Sequence, residues 1–424
     1  MTTTRPEAVT IEDLTEPTFP AEAQPIREAM AEMGASIQIE PDTMRDAAMQ
    51  STGLDDFGDP GYGERLDVLC RALRTEAGLS SSGRATIFTQ LTQLLANRLL
   101  IEDLLKRHPE IHDERVERPI VIAGQPRTGT THLHNLMSSD ASLRSLPYWE
   151  SNEPVLPEGE PPAPGEPDPR RDRTAMGLDV INTAMPYFKR MHEMTTDHVH
   201  EEIHLLAIDF SSMLFETMAP MPTWRDYYKS MDQTPIYGYL KKVLKVLQWL
   251  RGGERWLLKS PQHLEQFGPL MTTFPDATVV ITHRDPVAIT ASTGTMLSYL
   301  ARLNQDTVDP VKIGRYWAER IEVMARSCVD ERELLPPAQS IDVLFHEFMA
   351  DDVAMVERIY ELAGEPWTSE VQGAMGTFME DHPRGRHGTV RYDLEVLGLD
   401  EAERRRALAF YVERFGLREE RVGG

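Results

Sequence analysis

A short, wholly apolar run that leads directly into a glycine-containing turn limits the fold of this chain more than any other feature. The run Pro119–Ala123 is rich in β-branched residues, as expected of a strand buried on both faces of a sheet. The turn, residues 124–131, has the sequence Gly-Gln-Pro-Arg-Thr-Gly-Thr-Thr and precedes an amphipathic stretch. This order is the usual context of a phosphate-binding loop, because backbone N–H groups and a helix N-terminus attract an anion. A tight turn that binds no ligand is the alternative.

The turn departs from the pattern of nucleoside triphosphatases at one informative position. The pattern G-x-x-x-x-G-K-[ST] has lysine where this chain has Thr130, and the nearest cation is Arg127. The usual lysine reaches the β- and γ-phosphates beside Mg²⁺, whereas a cation in the first half of the loop suits a ligand whose terminal group needs no metal. The turn therefore favours an anionic ligand other than a Mg²⁺-bound triphosphate.

Three later segments also have the composition of buried strands, and each precedes a helical pattern. They are Arg255–Lys259, Ala277–Thr282 and Ser340–Phe345. A repeated strand-then-helix order favours a parallel sheet with helices on both faces. The sequence therefore predicts an α/β fold of the P-loop nucleotide-binding class, with a central parallel β-sheet flanked by helices.

The chain divides into three parts by composition. Residues 1–45 are rich in Thr, Glu and Pro and show little periodicity, so we expect an arm that lies on the surface or is partly disordered. Residues 46–115 have a helical pattern and form an N-terminal helical preface. The α/β domain then spans residues 116–424. Two features lie within this domain: a helical insertion on the substrate side at about 154–250, and a proline-rich loop at 154–169 where the insertion begins.

Two more features place cations at predicted strand ends. The segment His283–Ser292 begins where a strand ends, and Arg284 is followed by Ser292 eight residues later. An arginine there can bind an anion with two parallel hydrogen bonds, and the serine hydroxyl can reach the same anion if the chain bends back. Lys259 likewise ends a buried strand. Because α/β sheets bind ligands at the carboxyl ends of their strands, these cations strengthen the prediction of an anion site.

These segments together resemble the sulfotransferases that use 3′-phosphoadenosine 5′-phosphosulfate (PAPS). The run from Pro126 to Thr131 is similar to the family's 5′-phosphosulfate loop, in the arginine form of the tyrosylprotein sulfotransferases and many bacterial enzymes. The resemblance covers roughly Pro119 to Tyr392. His132 falls where cytosolic relatives place a tryptophan against the adenine. The resemblance implies that five residues hold the 5′-phosphosulfate: Arg127, Thr128, Gly129, Thr130 and Thr131.

The resemblance also implies the other donor contacts. Arg284 and Ser292 match the family's 3′-phosphate motif, and Trp256–Pro261 resembles the strand whose terminal lysine, here Lys259, contacts the transferring sulfuryl group. A structural ion pair is the alternative role for this lysine. Residues 382–388 resemble a late loop that clamps the 3′-phosphate, and a solvated basic loop is the alternative. The residues implied in that clamp are Arg384, Gly385 and Arg386.

The reaction implied by the resemblance is in-line transfer of a sulfuryl group from PAPS to a small-molecule alcohol or phenol, with 3′,5′-adenosine bisphosphate (PAP) as product. Arg127 and Lys259 can stabilise the transferring group without a metal, because sulfate carries one charge fewer than phosphate. The insertion is rich in Met and aromatic residues, which suits an apolar acceptor but suits a helical core equally. Two alternatives are a P-loop kinase or nucleoside triphosphatase and a non-catalytic adenine-nucleotide-binding protein.

Removal of the acceptor's proton requires a base. Glu150 lies close to where the tyrosylprotein and some bacterial enzymes carry a catalytic glutamate, and Glu153 is a substitute. Cytosolic relatives use a histidine just past the lysine strand, and here His263 is displaced from that place by two residues. As the base we place Glu150 first and then His200 or His263, and both histidines are also candidate acceptor contacts. His200 and His204 could share a helix face, but no further ligand at matching spacing supports a metal site.

The charge balance excludes some partners. The chain has 44 Lys and Arg against 68 Asp and Glu, and the net charge of -24 argues against binding to nucleic acid or to anionic lipid. The first twenty residues lack the basic start and apolar stretch of a signal peptide, and no apolar run approaches the roughly 18 residues of a membrane span. Cys70 and Cys328 show no metal or redox spacing. We therefore expect a cytoplasmic protein with reduced thiols, and no feature predicts an oligomeric state.

Overall fold

The computed structural model describes residues 6–158 and 166–422. The strands in these residues are β1 (Ile120–Gly124), β2 (Leu143–Arg144), β3 (Arg255–Ser260), β4 (Thr278–His283) and β5 (Ser340–Leu344). Within the described chain they form one parallel sheet in the order β2-β3-β1-β4-β5. The predicted α/β class and the four predicted strands are confirmed. The short edge strand β2 was not predicted.

Helices precede the sheet, cover its two faces and form the insertion. The N-terminal helices are α1 (Gln24–Gly34), α2 (Pro41–Thr52), α3 (Tyr62–Thr75) and α4 (Ser81–Arg107). The next helices are α5 (Thr130–Ser138), α6 (Tyr148–Asn152), α7 (Pro169–Ala184), α8 (Ile203–Ala207), α9 (Pro222–Ser230) and α10 (Thr234–Arg251). The C-terminal helices are α11 (Phe267–Thr273), α12 (Pro286–Leu300), α13 (Pro310–Glu331), α14 (Phe345–Ala350), α15 (Asp352–Ala363), α16 (Ser369–Asp381) and α17 (Glu401–Phe415).

The central strand β1 shows how the sequence builds two layers. Successive side chains of a strand point to opposite faces, so its apolar residues serve both cores. Ile120 and Ile122 belong to the core that contains residues of α5, α15 and α16. Val121 and Ala123 belong to the larger core, which contains residues of α4, α10, α12 and α13. The sheet is thus buried on both faces, which explains why β1 is apolar throughout.

The N-terminal segment differs from the irregular arm that the sequence predicts. It contains α1 and the start of α2, and both helices pack on α4. Pro25 is the second residue of α1, and Pro41 is the first residue of α2. The missing N–H of proline costs no hydrogen bond at these positions, because the first N–H groups of a helix have no acceptor within it. Farther upstream, Val9 pairs with Val390 in a parallel β-bridge. The prolines that argued against regular structure therefore mark helix starts.

The segment predicted as a helical preface contains most of α2 together with α3 and α4, and the insertion contains α7 to α10. The proline-rich loop predicted at 154–169 falls partly on residues 159–165, which lie outside the described residues. Among the helices described, none has the combination of length and apolar character that crossing a membrane requires.

Candidate active site

The predicted phosphate-binding turn joins β1 to α5 at the carboxyl end of the central strand. Gly129 has a φ of 87°, and a Cβ atom there would lie 3.2 Å from the Phe345 ring. A Cβ atom on Gly124 would lie 2.0 Å from the Thr282 hydroxyl. Both positions therefore require glycine. Because α5 begins at Thr130, the N–H groups of its first turn have no acceptor within the helix and can bind an anion.

Arg127 connects this turn to three other segments. Its guanidinium donates from Nε to the Ser292 hydroxyl at 2.8 Å, from Nη1 to the carbonyl oxygen of Met191, and from Nη2 to the Tyr392 hydroxyl at 3.2 Å. Its backbone has a φ of 71°, which is uncommon for a residue other than glycine. These contacts bring together Arg127 and Ser292, which the sequence analysis assigned to opposite ends of the same nucleotide.

The threonines of the turn take two different positions. Thr128 is buried, and its hydroxyl lies 2.7 Å from both the carbonyl oxygen of Gln125 and the hydroxyl of Thr282. Its side chain therefore supports the turn, which leaves its backbone for a ligand. Thr130 and Thr131 border a large cavity at the start of α5.

Arg284 already binds a carboxylate in this structure. Its Nε and Nη2 atoms donate to the two carboxylate oxygens of Glu420, each at 2.7 Å, and its Nη1 donates to the carbonyl oxygen of Arg127 at 2.8 Å. The guanidinium also lies 4.2 Å from the centre of the Phe345 ring. The position predicted for a 3′-phosphate therefore lies next to the turn and can bind an oxyanion in bidentate fashion.

The late loop separates its two arginines. Arg384 donates to Asp352 Oδ2 at 2.6 Å, and the same oxygen lies 2.9 Å from Nε2 of His132. Gly385, with a φ of 72°, follows at the turn of the loop. Arg386 instead pairs with the Glu193 carboxylate. The structure thus brings Arg384 to His132, the residue predicted near the adenine, and gives Arg386 a separate partner.

Lys259 lies near the carboxyl end of β3, directly beside β1 in the sheet. Its side chain is only 3% exposed, and its ammonium group pairs with the Glu201 carboxylate. The backbone N–H of Lys259 donates to Glu202 at 2.8 Å. Lys259 itself is not among the described residues that line the cavity, but its partner Glu201 is. Its ammonium group can therefore act on a ligand in the cavity through space, because a low local dielectric strengthens the electrostatic interaction.

A group of histidines surrounds Tyr148 in the same region. The ring centres of His200 and His204 are 4.5 Å apart, and those of His200 and Tyr148 are 4.7 Å apart. His198 Nε2 lies 3.1 Å from His200 Nδ1, whereas His200 Nε2 is buried and has no hydrogen-bond partner in the described part of the chain. The group is completed by His192. His200 therefore has a free ring nitrogen for a ligand group.

Burial lowers the pKa of these imidazoles. For His192, burial followed by the positive charge of Lys259 lowers the pKa to about 3, and for His204 burial lowers the pKa to about 4. Burial also holds the pKa of His200 well below its usual range. The histidines are therefore neutral at pH 7 and can accept a hydrogen bond. Among the described residues, no cluster of three or more His, Cys, Asp or Glu is arranged to hold a metal ion.

One large cavity, of about 820 Å³, connects these groups. Its polar end is formed by the turn, the histidines and one carboxylate, namely Arg127, Thr130, Thr131, Tyr148, His192, His200, Glu201 and His204. Most of the remaining wall is apolar. Glu201 is not among the residues predicted from the sequence, although its position directly after His200 is a signal for it.

Two of the residues proposed from the sequence as acceptor contacts or base are engaged elsewhere. Glu150 is fully buried, and its carboxylate accepts hydrogen bonds from Arg144 at 2.7 and 2.9 Å and pairs with Arg251 at 3.0 Å. Neither Glu150 nor His263 is among the described residues that line the cavity. The geometry therefore gives Glu150 a structural ion pair and does not favour it as the base.

His263 is fully buried, and both of its ring nitrogens have protein partners. Nδ1 lies 2.7 Å from the Tyr237 hydroxyl, and Nε2 contacts the Glu202 carboxylate. Glu153 does line the cavity, but its carboxylate is held by Arg173 at 2.6 Å. The Glu201 carboxylate is also paired, but its partner is Lys259, the residue that the resemblance assigns to the transferring group, and Glu201 directly follows His200 in the lining. For this reason we favour His200 and Glu201 as the groups that meet an acceptor.

Comparison with known proteins agrees with this arrangement. A family model described as the sulfotransferase family matches residues 119–369, which is more than half of the chain. The chain belongs to the sulfotransferase family. The matched residues of this sulfotransferase contain the phosphate-binding turn, Lys259, Arg284 and Ser292. The family assignment confirms the predicted resemblance and supports a transferase activity. No curated protein sequence matches the chain.

Two solved structures extend the comparison over nearly the whole sulfotransferase chain. The sulfotransferase STF9 from Mycobacterium avium has a TM-score of 0.81 and 27% sequence identity, covering 92% of this chain and 99% of its own. The sulfotransferase STF1 from Mycobacterium tuberculosis H37Rv has a TM-score of 0.76 and 29% identity, covering 87% of this chain and 98% of its own. The similarity therefore extends well beyond the residues that match the family model.

Proposed function

We propose that the protein transfers a sulfuryl group from PAPS to the hydroxyl group of a small-molecule alcohol or phenol, releasing PAP, in a metal-independent reaction in the cytoplasm. One observation carries the proposal: a single cavity joins Arg127 and the start of α5 to Glu201, which binds Lys259. The family match favours sulfuryl transfer over a kinase and over a non-catalytic nucleotide-binding protein.

The described residues suit a nucleotide with two anionic groups. The turn at residues 127–131 would hold the 5′-phosphosulfate through the N-terminus of α5 and Arg127. Arg284 binds the Glu420 carboxylate with two parallel hydrogen bonds, which supports its assignment to the 3′-phosphate together with Ser292. His132 would lie on the adenine side, and the late loop would clamp the 3′-phosphate through Arg384 and Gly385, which adjoin His132 through Asp352. Arg386 would contribute only if it left its partner Glu193.

The chain's own cations would supply most of the catalysis. When bound, PAPS supplies the sulfuryl group: a bond forms between the acceptor oxygen and sulfur as the bond from sulfur to the 5′-phosphate oxygen breaks. Lys259 would stabilise the negative charge on the transferring group, because its ammonium acts from a buried position. Arg127 would stabilise the same region from the turn. Two cations near the reacting group make a metal unnecessary.

Glu201 is our candidate for the base, with His200 beside it. The Glu201 carboxylate lines the cavity and contacts Lys259, so the proton acceptor and the cation that faces the sulfuryl group lie side by side. His200 offers a neutral, unpartnered ring nitrogen at the same end of the cavity, which can orient the acceptor hydroxyl. Glu150, preferred from the sequence, is replaced in this role because its carboxylate is held by two arginines.

The substitution Glu201→Gln should lower kcat about 100-fold or more, because a positioned base contributes roughly 10²–10⁴-fold. The Kd for PAP should change little, since the base acts on the acceptor. Glu150→Gln is the matched control, with loss of stability expected in place of loss of turnover. The measurements are PAP release with 2-naphthol as acceptor, PAP titration and denaturant unfolding. Full loss of turnover in a stable Glu150→Gln variant, with Glu201→Gln active, would return the base to Glu150.

The reaction class is tested by thermal unfolding with ligands. PAP should raise the melting temperature in the presence of EDTA, and ATP with Mg²⁺ should raise it much less, because binding to the native state alone is stabilising. Sulfuryl transfer from PAPS should continue in EDTA. Stabilisation by ATP with Mg²⁺ but not by PAP would favour the kinase alternative, and activity that returns only with Mg²⁺ would exclude the metal-independent reaction.

A further inference from the structure

The apolar part of the cavity is built mostly by residues within the range that the family model matches, together with a few N-terminal residues outside it. Its wall includes the N-terminal residues Phe19, Ile26 and Met30, which precede the matched range 119–369. Residues of α7 and α12, which lie within the matched range, supply much of the remaining apolar wall, whereas α4 contributes mainly polar side chains. A volume of about 820 Å³ lies in the upper part of the roughly 300–1,000 Å³ that ligand pockets usually have. This volume includes the turn end, which the proposed function assigns to the phosphosulfate, and the remainder along the apolar wall is available to the acceptor.

Methionine is prominent in this wall. The side chain is flexible and polarisable, so it adapts to apolar ligands of irregular or variable shape. The methionines that border the cavity are Met30, Met185, Met194, Met213, Met218 and Met296. Aliphatic and aromatic side chains from Ile181, Phe188 and Leu297 lie among them. The wall thus favours an apolar body over a hydroxyl-rich one.

Charged side chains that reach the wall already have partners. Arg27 stacks on Phe19 at 3.4 Å from the ring centre and lies 3.7 Å from Asp306. Arg302 pairs with Asp13 at 2.9 Å. Because these guanidinium groups are engaged within the protein, a charged headgroup bound beside them would have to displace an existing partner. The body of the acceptor that fits this wall is therefore uncharged.

We propose that the acceptor is an alcohol or phenol with a long or bulky uncharged apolar body, bound with its hydroxyl at His200 and Glu201 and its body against the wall built by α1, α7 and α12. This inference rests on the proposed function for the identity of the reacting group. Its physical basis is the burial of apolar surface, which contributes to binding in proportion to the area removed from water.

A series of primary alcohols tests the proposal. With PAPS as donor, kcat/KM should rise about fourfold for each added methylene from 1-butanol to 1-decanol, as expected for complete burial of each group. Glycerol and glucose should be poor acceptors. Equal kcat/KM across the series, or a preference for the sugars, would overturn the apolar-acceptor proposal and leave sulfuryl transfer intact. Binding of 1-decanol without any transfer from PAPS would instead leave the apolar site intact and refute the proposed function.

Helix α1 provides a matched pair of variants. Ile26 and Met33 are similarly exposed, at 40% and 46%, but only Ile26 is among the described residues that line the cavity. Ile26→Glu should reduce kcat/KM for 1-decanol about tenfold and leave that for 1-butanol nearly unchanged, whereas Met33→Glu should alter neither. Both residues are exposed enough for the variants to fold. If Ile26→Glu and Met33→Glu behave alike with 1-decanol, α1 does not contact the acceptor and the proposal fails for this wall.

Discussion

Replacing Lys259 with alanine should lower kcat by about 100-fold or more, while PAP affinity falls much less. The ammonium group is buried beside the phosphate-binding turn, where a donor aimed at developing charge typically contributes 10²–10³-fold. An interaction that is stronger in the transition state lowers kcat, whereas loss of ground-state binding raises KM. Steady-state kinetics with PAPS and 2-naphthol, together with PAP titration, would measure both quantities.

A second lysine gives the control for this result. Lys242 also pairs with a glutamate, Glu102, at 3.2 Å, but neither residue is among the described residues that line the cavity. Lys242→Ala should leave kcat unchanged and alter stability by less than about 1 kcal/mol, as is usual for a partly exposed ion pair. A folded Lys259→Ala variant with normal kcat would show that Lys259 serves only the structural pair with Glu201.

The sequence predicts the central strand well because it is apolar on both faces, whereas the two-residue edge strand β2 gives no such signal. Ile120 to Ala123 supply both cores, and such a run can satisfy only a central position between two layers of helices. The turn is predictable at Gly129 for a local reason, since a φ of 87° there favours glycine, whereas Gly124 is required by contact with the Thr282 hydroxyl on β4. These signals lie within a few residues of each other, so they can be read without knowing the fold.

The acceptor side is less predictable because its contacts join distant parts of the chain. Glu201 becomes a candidate base only when β3 brings Lys259 to it, 58 residues farther along the chain. Glu150 looks favourable by position, but the fold places it between Arg144 and Arg251. The N-terminal helix α1 is hidden in the sequence by Pro25, and its place in the cavity wall depends on packing against α4.

The late loop illustrates a third kind of difficulty. Arg384 and Arg386 are separated by one residue, and nothing in the sequence distinguishes them. In the structure, Arg384 pairs with Asp352 beside His132, whereas Arg386 pairs with Glu193. Short-range composition shows that the loop is basic. It does not show which carboxylate each guanidinium meets, because those partners come from other segments.

Replacing Arg284 with alanine should weaken PAP binding about 100-fold and scarcely change the binding of adenosine 5′-monophosphate, which lacks the 3′-phosphate. Charge-assisted hydrogen bonds contribute roughly 1.5–3 kcal/mol each, so the two that the Arg284 guanidinium would donate could together contribute about 4 kcal/mol. The 3′-phosphate must first displace the Glu420 carboxylate from Arg284. Breaking this partly exposed ion pair costs up to about 1 kcal/mol of the binding free energy. The remaining 3 kcal/mol corresponds to roughly a hundredfold.

The variant Glu420→Gln separates the two halves of this argument. This substitution removes the carboxylate that binds Arg284. If the 3′-phosphate takes the position of that carboxylate, the Kd for PAP should fall about fivefold. The Kd for adenosine 5′-monophosphate should not change. Glu419→Gln is the neighbouring control, because Glu419 lies 3.7 Å from Arg405 and forms no described pair with Arg284. Calorimetric titration of both nucleotides decides the matter. If Arg284→Ala weakens both nucleotides equally, Arg284 acts on the turn through the Arg127 carbonyl oxygen, and the 3′-phosphate assignment is wrong.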